Sequence, residues 1–156
     1  MARILKYREK KTDDILLNWE RPTTLTLSSS RCLYLMRVFR GRKILYIGKA
    51  GKQSVNARFK CQSKDRWVGK GIEADTELAP FVAGLFTSRR VTPKLIADVE
   101  RLLIFFIQPP LNKPGRCSLS LHHREVNIRC QGQWPHPMTE FSYCRDLPRL
   151  LAISSR

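Results

Sequence analysis

No stretch of this sequence approaches the roughly 20 apolar residues that span a bilayer. The longest apolar run is Leu102 to Ile107, so no membrane-crossing helix is expected. The first residues, MARILKYREKKTDD, have neither the apolar segment nor the small-residue cleavage site of a secretory signal. The expectation is an intracellular protein, cytoplasmic if it is of bacterial or phage origin. The sequence also has no CxxC pair. Its 5 cysteines, Cys32, Cys61, Cys117, Cys130 and Cys144, are odd in number and irregularly spaced, which argues against a disulfide framework and for free thiols. A metal site joining Cys117, Cys130 and Cys144 to His122, His123 or His136 is the alternative use of these residues. Acidic residues are scarce, and no helix-turn-helix or zinc-finger pattern is present.

What is abundant is positive charge. Lys and Arg number 29 against 13 Asp and Glu, a net charge of +16 in 156 residues. Such a field attracts polyanions, nucleic acid foremost, although acidic lipid or a large assembly offers the same attraction. The length allows one domain with a tail, and the 42% hydrophobic content is spread along the chain, as a folded protein requires.

Residues 31–39 (RCLYLMRVF) and 43–47 (KILYI) flank Arg40-Gly41-Arg42 and read as a β-hairpin. A three-residue loop pairs positions whose numbers sum to 82, placing Tyr34 opposite Gly48 and Tyr46 opposite Met36. Both tyrosines then share a face. Residues 48–52 form a basic connection, and Ser54 can cap a short helix through Val55, Ala57 and Phe59 from which Arg58 projects. Residues 61–77 read as an irregular charged excursion. Glu77 to Ser88 reads as a third strand, with Pro80 against its first half. The clearest helix begins at Thr92-Pro93 and stops before Pro109-Pro110, its apolar face made by Leu95, Val99, Leu102 and Phe106 with Ile96 and Leu103.

Glu100 is unusual on that helix, because its neighbours three and four positions away include Ile96, Leu103 and Ile104. A carboxylate there is either a ligand for a cation or a solvated side chain paired with Lys94 or Arg101.

Taken in order, CLYLMRVF, ILYIGKA, NARF and LIADVERLLIFFIQPPLN resemble the GIY-YIG nuclease superfamily of repair, restriction and homing endonucleases. The resemblance covers residues 31–112. Its first motif appears as Cys32-Leu33-Tyr34, without the usual glycine and isoleucine. Its second appears unchanged as Tyr46-Ile47-Gly48, followed by the basic Lys49. It implies an α+β fold with a small, three-stranded, largely antiparallel sheet flanked by helices over residues 31–113. Residues 1–30 would then be an N-terminal extension, and 114–156 a basic C-terminal extension packed on the core or contacting DNA.

The resemblance further implies a metal-dependent DNA endonuclease whose catalytic residues are Tyr34, Tyr46, Lys49, Arg58 and Glu100. Glu100 would bind Mg²⁺ or Mn²⁺ and Arg58 the scissile phosphate. Tyr34 would take the proton of the attacking water, aided by nearby cations, while Tyr46 positions water or phosphate, and these two roles are interchangeable. Gly48 would let the backbone turn closely beneath the substrate, and Asn112 would fix the chain leaving the helix. Gln62 stands where many relatives carry a titratable tyrosine or histidine. Lys52, Lys64, Arg66, Trp67, Lys70, Arg124 and Arg129 are candidate contacts to DNA, duplex or branched, and a cutter of both strands implies a homodimer or a partner protein. The competing readings are a catalytically weak or inactive binding subunit that directs a partner enzyme, and a basic assembly factor, which leaves Glu100 unexplained.

Overall fold

A computed structural model describes residues 14–61, 77–112 and 118–145. They form an α+β unit with strands β1 (Ile15–Glu20), β2 (Cys32–Val38), β3 (Ile44–Ala50), β4 (Leu78–Phe86), β5 (Glu125–Gly132) and β6 (Glu140–Cys144) and helices α1 (Thr24–Ser28), α2 (Val55–Cys61) and α3 (Pro93–Ile107). The strands make one sheet in the order β3-β2-β4-β1-β5-β6. All neighbours are antiparallel except β1 and β5, which run parallel.

The expected small three-stranded sheet is therefore corrected to a six-stranded mixed sheet. Its antiparallel part β3-β2-β4 is the anticipated trio, but it does not stand alone. The segment read as a polar extension supplies β1, which pairs along β4 from Leu16↔Phe86 to Glu20↔Val82. The segment beyond residue 114 supplies β5 and β6. A trio ending at β4 would leave that strand's N–H and C=O groups unpaired, and β1 covers them. Strand β1 alternates, with Ile15, Leu17 and Trp19 buried. Strand β5 does the same with Val126, Ile128 and Cys130. These side chains join Leu33, Leu35, Phe81 and the apolar face of α3 in the main core.

The hairpin register is as expected over its first five pairs, Cys32↔Ala50 to Met36↔Tyr46, including Tyr34↔Gly48. The connection is longer than three residues, because β2 ends at Val38 and β3 starts at Ile44. A one-residue shift at Arg37↔Ile44 absorbs the difference as a bulge. Pro80 sits inside β4 at no cost to the ladder with β1, whose last pair is Glu20↔Val82. Helix α3 starts as anticipated, with Thr92 Oγ1 accepting from Leu95 N at 3.1 Å. It ends at Gln108, which takes a left-handed conformation (φ 54°). No helix among the described residues is long and apolar enough to cross a membrane.

Candidate active site

Alternation along β2 and β3 sorts their side chains to two faces. Leu33, Leu35 and Ile47 face α3 and the main core. Tyr34, Tyr46 and Ala50 face α2, where they meet Val55 and Phe59. The tyrosine rings lie 6.0 Å apart at 32°, and their hydroxyl groups are hydrogen-bonded. Phe59 stands edge-on to Tyr34 at 5.3 Å. The anticipated shared face is thus formed, and α2 closes it because Ser54 Oγ caps the helix through Ala57 N.

Gly48 is required by these rings. A Cβ at that position would lie 2.6 Å from Tyr34 Cζ, 2.7 Å from its hydroxyl oxygen and 2.8 Å from Tyr46 Cε1. The expectation that the backbone turns at Gly48 is corrected, since β3 continues through it to Ala50. The glycine makes room for protein rings.

Tyr34 is 1% exposed. Burial, first, raises its phenol well above the ordinary tyrosine range. The charge and hydrogen bond of Tyr46 and the negative charge of Glu100 add to this, and Arg58 opposes it. The nearby cation does not prevail, so Tyr34 is a neutral phenol at neutral pH. Tyr46 is partly exposed and is the ring that solvent reaches.

Arg58 lies close enough to Tyr34 to act on its charge. Its Nε is buried and has no hydrogen-bond partner, and none of the ion pairs among the described residues includes it. A guanidinium left in this state is suited to a phosphate that completes it.

Glu100 lies on the α3 side of the sheet, where Lys49 Nζ donates to its Oε2 at 2.6 Å. The alternative partners Lys94 and Arg101 are not used. The Glu100 side chain is 14% exposed, and among the described residues only Lys49 is seen to bond it. Among the described residues no three His, Cys, Asp or Glu side chains gather to hold a metal. A single carboxylate is the kind of ligand set that a hard cation such as Mg²⁺, which keeps most of its water, requires.

Asn112 ties the chain that leaves α3 to β3 through its side chain. It is buried, accepts from Ile47 N at 2.8 Å and donates to Ile47 O at 2.7 Å. Leu111 N donates to Leu45 O at 3.0 Å. Strand β3 is the edge of the sheet, and the chain leaving α3 serves as its missing neighbour, holding the backbone between Tyr46 and Gly48.

The remaining candidates are less concentrated. Lys52 and Arg124 are exposed. Arg129, exposed like its partner, pairs across the strands with Glu140 at 3.2 Å. Gln62, Lys64, Arg66, Trp67 and Lys70 lie outside the described residues, as does Cys117. Among the described residues, Cys130, Cys144 and the three histidines do not gather into a metal set. Cys130 is buried in β5, which pushes its thiol up to about 12, and the Nδ1 atoms of His122, His123 and His136 are all engaged within the protein.

Sequence reasoning missed Asp98, the most buried charge among the described residues at 0% exposure. Its Oδ1 accepts from His122 N at 2.9 Å and meets His122 Nδ1 at 2.8 Å. Its Oδ2 does the same with His123 at 2.8 and 2.6 Å. Burial raises its carboxyl, but these four bonds outweigh burial and hold it below the ordinary carboxylate range. The signal was available, since Asp98 is three residues after Leu95 and four before Leu102, within the apolar stripe. Two positions apart on a helix point about 200° apart, so Asp98 and Glu100 serve opposite sides of α3. No family model, curated protein or solved structure matches this chain.

Proposed function

We propose that this protein is a metal-dependent endonuclease of DNA, related to the GIY-YIG enzymes it resembles in sequence. The observation that carries the reading is the hydrogen-bonded pair Tyr34–Tyr46 over Gly48, with the uncompensated Arg58 and the carboxylate of Glu100 close enough to act on Tyr34. A binding surface alone gains nothing from a carboxylate beside a phosphate.

In this reading Arg58 holds the scissile phosphate and favours the charge that builds on its oxygens as water attacks. Tyr46, the accessible ring, orients the water and, having first given its own hydroxyl proton to solvent, receives the water's. Tyr34 stays protonated and holds the Tyr46 oxygen by their hydrogen bond, so the two roles are exchanged relative to the sequence expectation. The P–O3′ bond breaks, and the departing oxygen leaves protonated from solvent. A hydrated Mg²⁺ or Mn²⁺ at Glu100 supplies positive charge against phosphate oxygens when bound. Lys49 keeps the Glu100 carboxylate in place and neutralised until then.

The ion pair of Lys49 and Glu100 also supports a second reading, a catalytically weak nucleic-acid-binding subunit that directs a partner enzyme, because a lysine at 2.6 Å competes with a cation for the carboxylate. Cleavage assays separate the two. Purified protein is given supercoiled plasmid, branched DNA, single-stranded DNA and RNA with Mg²⁺, Mn²⁺ or EDTA, alongside Glu100→Ala, Tyr46→Phe and Tyr34→Phe. The nuclease reading expects metal-dependent cutting of DNA that Glu100→Ala abolishes, with Tyr46→Phe slowed by about 100-fold or more and Tyr34→Phe less affected. Tight binding with no cutting by the wild type under any of these conditions selects the directing subunit.

A further inference from the structure

One charged cleft takes no part in this chemistry. It lies between the β2–β3 turn and the β5–β6 connection, has a volume of about 340 Å³, and is lined by Arg37, Arg42, Gln133, Trp134, Pro135 and His136 among others. Tyr34 and Arg37 are three positions apart on β2, so their side chains leave opposite faces of the sheet. The cleft is separate from the tyrosine pair.

Arg37 is built into its wall. The guanidinium carbon sits 4.6 Å from the centre of the Phe81 ring, and NH1 donates to Gly41 O at 3.2 Å. Its Nε is buried without a partner. Neither Arg37 nor the exposed Arg42 belongs to any ion pair among the described residues. Taking a guanidinium partly out of water costs free energy that an anion in the cleft recovers, and two planar forks suit the oxygens of a phosphate.

The other wall is aromatic and equally fixed. Trp134 donates from Nε1 to Met138 O at 2.8 Å, and its ring is braced by Trp19 at 5.3 Å and Phe141 at 6.1 Å. His136 accepts from Met138 N at Nδ1, so in the neutral ring the hydrogen sits on Nε2 as a donor. A fixed indole, an imidazole donor and the amide of Gln133 suit a flat heterocycle with polar edges. The volume is at the low end for ligand clefts, about 300–1,000 Å³, which matches one small ligand.

We propose that this cleft binds a single nucleotide unit, its phosphate on Arg37 and Arg42 and its base against Trp134, whether free or as part of a single strand. The assignment is independent of the nuclease reading. Its test is titration of the full chain in EDTA, following the indole N–H of Trp134 and the Nε–H of Arg37 by NMR. The ligands are AMP, inorganic phosphate, adenosine, phosphotyrosine and a single-stranded trinucleotide.

AMP is expected to move both signals and to bind at least about 10-fold more tightly than phosphate or adenosine alone. Arg42→Gln, at an exposed position, and Arg37→Lys, which keeps the charge but loses the fork, should each weaken AMP by about 10-fold. Tighter binding of the trinucleotide than of AMP assigns the natural ligand to a strand, and equal binding assigns it to a free nucleotide. The proposal is overturned if AMP leaves both signals in place at millimolar concentration, if phosphate alone binds as well as AMP, if phosphotyrosine binds better, or if both variants bind AMP like the wild type.

Discussion

Replacing Gly48 with alanine tests the packing on which the candidate site rests, whether or not the protein cuts DNA. The new Cβ would lie 2.6 Å from Tyr34 Cζ, whereas carbon atoms rest at about 3.5–4.0 Å. The ring must therefore withdraw by about 1 Å. Tyr34 is 1% exposed, with Phe59 edge-on against it, so its withdrawal displaces Tyr46 or α2. Overpacking of this kind costs about 1–3 kcal/mol, and removing a glycine from a strand recovers about 0.5–1 kcal/mol. The net expectation is a loss of about 1–2 kcal/mol in urea unfolding.

Gly51→Ala is the matched control, because a Cβ there meets nothing within 4 Å. It should stay within about 0.5 kcal/mol of the wild type. Displacing a reacting group by about 1 Å can cost about 100-fold in rate, so cleavage by Gly48→Ala should fall by that order with DNA binding little changed. A Gly48→Ala protein as stable as Gly51→Ala would refute the ring packing itself.

Asn112→Ala should cost about 2–4 kcal/mol, since it strips the partners from both buried polar groups of Ile47. Amide exchange at Ile47 should accelerate, and unchanged protection there would remove its role as a clamp. Asp98 sets an acid limit. Its carboxyl titrates in the fold below its unfolded value of about 3.9, so its contribution is present above that pH and is lost as pH falls through the folded value. Asp98→Asn should be less stable than the wild type by about 2–3 kcal/mol at pH 6, with the gap narrowing below about pH 4. A gap that is constant from pH 3 to 6 would contradict this.

Much of the site was legible because it depends on local rules. Period-two alternation and hairpin pairing place Tyr34, Tyr46 and Gly48 together. A threonine cap before a proline starts α3 and sets the side from which Glu100 projects. Less was legible where a local pattern had two readings. The alternation ILLNWE marks β1 as clearly as any strand, but a short run beside a polar terminus is easily taken for a tail. Asp98 was overlooked because Glu100, two positions on, was the more conspicuous carboxylate. Gly48 was expected to serve a close backbone turn, whereas the space beside it is filled by the rings of Tyr34 and Tyr46.

Sequence alone determined the elements that local stereochemistry and periodicity specify: the β2–β3 hairpin with its register, the ends of α3, and the order in which two tyrosines, an arginine and a glutamate occur. Only the tertiary structure decided which strands share the sheet, because β1 pairs with β4 more than sixty residues away and with β5 more than a hundred residues away, and no local pattern names a distant partner. It also decided the state of each group. Burial keeps Tyr34 a phenol, Lys49 rather than a helical neighbour holds Glu100, and Arg37 and Arg58 each keep a buried Nε unpaired. These properties depend on what surrounds a side chain in space, which its neighbours in sequence do not supply.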